Sequence, residues 1–177
     1  MKKLIIFLLA ALPAGLSAQS ISGDDIKNQF ANDWERSKAY TQEYLNTMPA
    51  DKYSFKAVDS IRSFAQQMLH LASANIFLIN MATGATPSFN PRGLEGRASA
   101  QTRDSVMYYV NASYDYAIKA VKELDGSKLG EMIGQNGRQA SRFAILEKAL
   151  EHQAHHRGQT TIYIRLQGIR PPNERLF

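Results

Sequence analysis

Residues 151–168 read EHQAHHRGQTTIYIRLQG. Three of the chain's four histidines fall within five positions here, His152, His155 and His156. No proline interrupts the stretch. Phe143, Leu146, Leu150, Ala154 and Ile162 recur on one side, which predicts a helix from about Arg138 to Leu166. On a helix, residues four apart share a face, so His152 and His156 project together. His155 sits about 100° around the axis from His156, and we read it as flanking or solvent-exposed.

Three further helices are predicted outward from this one. The first runs from about Ser22 to Met48. Ser22, Asp24 and Asp25 suit its start, and Pro49 stops it. The second runs from about Asp59 to Ala82 with Ile61, Phe64, Met68 and Leu71 on a wide apolar face, and Gly84 marks its end. The third runs from about Ser99 to Leu124 through Val106, Val110, Tyr114 and Val121. Residues 48–58 are read as a short extended connection. Gly84, Pro87, Pro91, Gly93 and Gly96 make residues 83–98 a long Gly/Pro-rich link. Four long helices with no strand alternation indicate an all-α fold, a four-helix bundle with a long crossover between helices two and three.

The fourth histidine, His70, lies within QMLHLASAN on helix two. In so apolar a run a lone histidine is ordinarily a satisfied core residue. If helices two and four are neighbours, however, His70, His152 and His156 converge on one ion. Three imidazoles and an open position suit zinc, nickel or manganese. At such a position a bound water loses a proton more easily, or a substrate atom replaces it. The chain has no Cys, so a closed site lacks a thiolate ligand. Gln159 and Tyr163 follow His156 by three and seven residues and are candidates for a pocket wall or for ordinary interhelical packing. Gly158 would permit a close helix approach. Arg157 is read as a surface or interface residue. A di-iron carboxylate site needs Glu-x-x-His, yet Glu147 leads to Leu150 and Glu151 to Ala154. Met68 or Met107 as a haem ligand is not required by the histidine pattern.

The 177 residues, 44% hydrophobic, suffice for one domain with a real core. The first residues, MKKLIIFLLAALPAGLSAQS, combine a basic start, a short apolar run and small residues. They read as a secretory signal peptide, residues 1–18, with the domain at 19–177. The apolar run is short for a membrane span, so membrane contact is expected only through this segment before cleavage. Formal net charge is +5 and falls to +3 (5 − 2) without Lys2 and Lys3. The bases are scattered among acids, which argues against nucleic-acid binding.

Trp34, the QMLHLASAN segment and above all HQAHHRGQTTIYIRLQGIRPP resemble the DinB-like (DinB/YfiT) superfamily of metal-dependent four-helix-bundle proteins. The resemblance spans about Ile26 to Pro172. It implies a three-histidine site of His70, His152 and His156, with His155 not a ligand, zinc or nickel as the usual metal, and frequent homodimers. Better-known relatives transfer low-molecular-weight thiols or isomerise substrates with them. Those thiols are cytosolic, so an exported, periplasmic chain departs from that chemistry.

Two functions compete. One is a metal-dependent enzyme of hydrolase or transferase type acting on a small molecule. The other is a non-enzymatic periplasmic bundle that binds a metal or small ligand. No acidic general base is placed near the histidines by sequence, and the catalytic residues stay unassigned. Tyr108 and Tyr116 are read as exposed aromatics available to a dimer interface.

Overall fold

The computed structural model describes residues 20–135 and 138–177; the expected signal segment lies outside them. Four helices dominate: α1 (Gly23–Thr47), α2 (Phe64–Thr83), α3 (Arg103–Glu123) and α4 (Arg142–Leu166). Each opens on a hydroxyl residue that takes up a free backbone N–H of the first turn. Ser22 and Ser63 do so in reciprocal boxes with Asp25 and Gln66. Thr102 accepts from Ser105 N, and Ser141 from Ala144 N. No helix among the described residues is long and apolar enough to cross a membrane.

Contacts between side chains fix the direction of each helix. Lys38 meets Asp115, Gln42 meets Asn111 and Asn46 meets Arg103, so α1 runs antiparallel to α3. Gln67 meets His156 while Arg142 donates to Ala82 O, so α4 runs antiparallel to α2. Asn75 donates to Ser113 and Tyr116 to Ala85 O, so α2 and α3 are parallel. A parallel pair requires a connection that returns along the bundle, and residues 84–102 supply it. Ser73 Oγ donates to Pro91 O, and Arg62, just before α2, meets Glu95. The link therefore runs back along α2 from its C-terminal to its N-terminal end. The predicted crossover is present, and it lies against the helix that carries His70.

The core fills the space between all four helices. Trp34, Leu45, Met48, Phe64, Met68, Leu69, Ile76, Leu94, Tyr114 and Leu146 are fully or almost fully buried. Trp34 packs edge to face on Tyr114 with centroids 5.6 Å apart.

Several boundaries differ from the sequence reading. Helix two starts at Phe64, not Asp59, because the Ser63–Gln66 box sets its first turn. Ile61 is left in the preceding loop. Residues 48–58 contain a 3-10 turn at Ala50–Lys52 and are not simply extended. Helix four starts at Arg142. The residues before it form an antiparallel hairpin of β1 (Met132–Gln135) and β2 (Arg138–Ser141), with Ile133 opposite Ala140. Four-residue strands are too short to show a period of two. Tyr116 is buried, so it is not an exposed interface aromatic, whereas Tyr108 is 64% exposed. Ile162 and Ala154 are exposed while Leu146 is buried, so the residues expected on one side of α4 do not share one buried face.

Candidate metal centre

His70 lies in the second turn of α2, and His152 and His156 lie one turn apart on α4. Because α2 and α4 are antiparallel neighbours, the three rings meet between them. Their centroids are 4.5 Å apart for His70–His156, 5.3 Å for His70–His152 and 4.3 Å for His152–His156. One ring nitrogen from each lies within 4.8 Å of the others, a group that can hold a metal ion.

The donor set fits such an ion. His152 Nε2 and His156 Nε2 are 3.1 Å apart. Two bare nitrogens at that distance repel unless a proton or a cation stands between them. Nitrogens about 2.0–2.1 Å from one tetrahedral ion are about 3.3 Å from each other, so the spacing suits a shared ion. His152 Nδ1 is buried without a hydrogen-bond partner among the described residues. The site is therefore not completed as a purely hydrogen-bonded cluster.

All three imidazoles are held neutral. Burial pushes His156 down to about 3, and His152 and His70 add to the effect. His152 is lowered by burial and then by His70. His70 is lowered by burial and by Arg62, against the opposing pull of Glu95. Neutral rings offer lone pairs at neutral pH without first losing a proton.

Three neighbours escaped the sequence reading. Glu95 Oε2 lies 3.2 Å from His70 Nδ1 and accepts from Arg62 Nε at 2.7 Å. Burial opposes ionisation of Glu95, but Arg62 and His70 outweigh it and hold the carboxyl below its ordinary value. Gln67 Nε2 lies 2.8 Å from His156 Nδ1. Two signals were available. Gln67 precedes His70 by one helical turn, and Glu95 is the sole acid between Asp59 and Asp104. Neither gives a contact without the path of the crossover.

Gln159 bonds Gln67 and lies 2.9 Å from the exposed His155. Tyr163 donates to Arg62 O at 2.7 Å. Gln159 and Tyr163 line a cleft of about 800 Å³ with Gln67, Glu95, Arg62 and Ile162. None of the three imidazoles lines this cleft, but Gln67 and Glu95, which do, contact His156 and His70. His70 also borders a second hollow of about 580 Å³ beside Phe77 and Pro91.

Two expectations need correction. Arg157 is not a surface residue; it is 7% exposed. Its guanidinium donates to Gln153 Oε1 at 2.6 Å and Thr41 Oγ1 at 3.3 Å, and lies 4.6 Å from the centroid of the Tyr40 ring. Gly158 does not mediate a close approach, because a Cβ there would meet nothing within 4 Å.

Fold and site together define an all-α four-helix bundle with a parallel crossover and a three-histidine group able to hold a metal. The profile of the DinB family matches residues 21–175, and the chain belongs to that family. The uncharacterized protein YjoA of Bacillus subtilis (strain 168) is 22% identical over 145 residues, covering 80% of this chain and 90% of YjoA. Three crystal structures share the fold. A DinB-like protein of Bacillus cereus ATCC 10987 has a TM-score of 0.72 at 19% identity, covering 84% of this chain and 97% of that one. YjoA itself has a TM-score of 0.63 at 22% identity, covering 85% and 96%. A conserved protein of Enterococcus faecalis has 0.66 at 15% identity, covering 83% and 98%.

Proposed function

We propose that this is an exported metal-binding protein of the DinB family, resident in the periplasm. In this reading His70, His152 and His156 hold one divalent ion, zinc or nickel, and the adjoining cleft takes a small molecule for hydrolysis or group transfer. The convergence of three neutral imidazoles beside that cleft carries the reading. A divalent ion bound by three nitrogens supplies Lewis acidity and lowers the pKa of a bound water. The chain's own contribution is to orient the ligand. Ile61 and Ile162 offer apolar walls, and Lys56, Asp59 and Ser60 offer polar contacts. Lys2, Lys3 and the apolar run after them support export.

One observation favours a non-enzymatic binding role. Glu95, the acid nearest the imidazoles, is engaged by Arg62 and His70, so it is not a free general base. A metal-loaded protein inert toward ester, amide and phosphoester probes would support that reading.

The test of the metal centre is elemental analysis of the purified mature protein beside His156→Ala. One zinc or nickel per chain in the wild type, absent from the variant, is the expected result. Absence of metal from both, after reconstitution, would sink the proposal.

A further inference from the structure

A histidine ligand must present a bare nitrogen to the metal, and a neutral imidazole carries its proton on one nitrogen or the other. The partner of the far nitrogen decides which. At His70 that partner is Glu95, at 3.2 Å from Nδ1. An ionised carboxylate only accepts, so it keeps the proton on Nδ1 and leaves Nε2 bare. Glu95 arrives preset. Arg62 grips it through Nε at 2.7 Å and a second nitrogen at 3.5 Å. Gly93, at φ +68°, turns the crossover. Leu94 is fully buried beside it, and Gln101 donates to Glu95 O at 3.0 Å.

At His156 the partner is the Gln67 amide, 2.8 Å from Nδ1. Either end of an amide can face a ring. With its oxygen turned inward, Gln67 accepts from His156 Nδ1 and leaves Nε2 bare, aimed at His152 Nε2. The neighbouring amide follows without conflict. Gln159 then donates to the Gln67 oxygen and accepts from His155 Nε2, using the contacts already present. His152 has no such partner, since its Nδ1 is buried and unpaired among the described residues.

We infer that Glu95 and Gln67 are the positioning residues of this centre: Glu95 fixes the tautomer and orientation of His70, Gln67 fixes those of His156, and His152 is the unsupported ligand. The inference rests on the three-histidine reading above. It makes the crossover part of the metal site. The ligand on α2 is set from the crossover, and one of the two on α4 is set from α2.

Zinc and cobalt dissociation constants, measured by competition with a chromophoric chelator, test this on Glu95→Ala, Glu95→Gln, Gln67→Leu and Gln67→Glu. Glu95→Ala and Gln67→Leu are expected to bind roughly 10–100-fold more weakly. Glu95→Gln, which keeps an acceptor, is expected to lose less. Gln67→Glu, an acceptor-only group while ionised, is expected to match or exceed the wild type at a pH where that carboxylate is ionised. The apo melting temperatures should stay close to that of the wild type, which separates positioning from a folding defect. Dissociation constants of Glu95→Ala and Gln67→Leu within twofold of wild type, with His156→Ala still losing its metal, would overturn this inference alone. A wild type that binds neither ion overturns the three-histidine reading and this inference with it.

Discussion

At the scale of single residues, the three imidazoles and Arg157 make opposite electrostatic demands on their surroundings. The imidazoles of His70, His152 and His156 are held neutral, each with its pKa below the ordinary value. The unfolded chain therefore binds more protons than the folded one below about pH 6.5. Stability from this source is complete above that pH. It falls as pH drops toward the folded values, which for His156 extends the window down to about 3. Urea midpoints of the apo protein should decrease from pH 7.5 to pH 5, and His156→Leu should flatten the decrease. An unchanged slope in that variant would show that the imidazole is not the cause. Arg157 is the reverse case, a buried cation with no carboxylate in ion-pair range among the described residues. It is satisfied by Gln153, Thr41 and the face of Tyr40. Arg157→Ala removes a charged hydrogen bond and opens a void, at an expected cost of about 2–4 kcal/mol. Arg157→Met keeps the stem volume and should cost at least about 1 kcal/mol less. Equal urea midpoints for both variants and the wild type would refute the packing role.

At the scale of elements, a close backbone approach joins the start of α1 to the 3-10 turn at Gly126–Lys128. A Cβ on Gly126 would stand 2.6 Å from the carbonyl carbon of Gly23, and one on Gly23 would stand 2.3 Å from Gly126 O. Backbone cannot yield as a side-chain tip does, so Gly126→Ala should destabilise by about 1–3 kcal/mol. Gly158 sits inside α4 with open space around it, and Gly158→Ala should stabilise by about 0.5–1 kcal/mol. Thermal melts that rank the two alike would contradict this contrast. The same elements show what a sequence makes legible. Helix α1 was readable because its apolar period agrees with its Ser22 cap, whereas α3 starts at Arg103 and not near Ser99, because Thr102 caps it and Ala98–Ala100 form a separate 3-10 turn. The start of α2 was misplaced because Ile61 continues the apolar pattern past the Ser63 cap. Arg157 was misread because α4 turns polar groups inward, where they meet Thr41 and Tyr114, so polarity does not mark its solvent face. The i,i+4 pair on α4 was visible as local geometry. The Glu95–His70 contact joins residues 25 apart through a connection with no period of its own. Only the path of the crossover along α2 brings them together.

At the scale of the whole molecule, the histidines tie together two helices that are remote in the chain. His70 and His156 are 86 positions apart (156 − 70), on antiparallel neighbours. The bundle is expected to fold without that tie, because Trp34, Phe64, Leu69, Tyr114 and Leu146 already fill its centre. An ion bound there acts on a formed structure, unlike a zinc finger, whose fold waits for its metal. Its effect is then mass action on the native state. Free metal at 100 times its dissociation constant should add about 2.7 kcal/mol. For a domain of this size that is a rise of roughly 5–10 °C in melting temperature. The rise should vanish on addition of a chelator and be absent in His156→Ala, whose melt should stay cooperative. Calorimetry of the loaded, chelated and variant proteins separates the cases. An apo protein without a cooperative transition would make the metal a structural staple rather than a ligand of a finished bundle. A variant that gains as much from zinc as the wild type would move the binding site away from the three histidines.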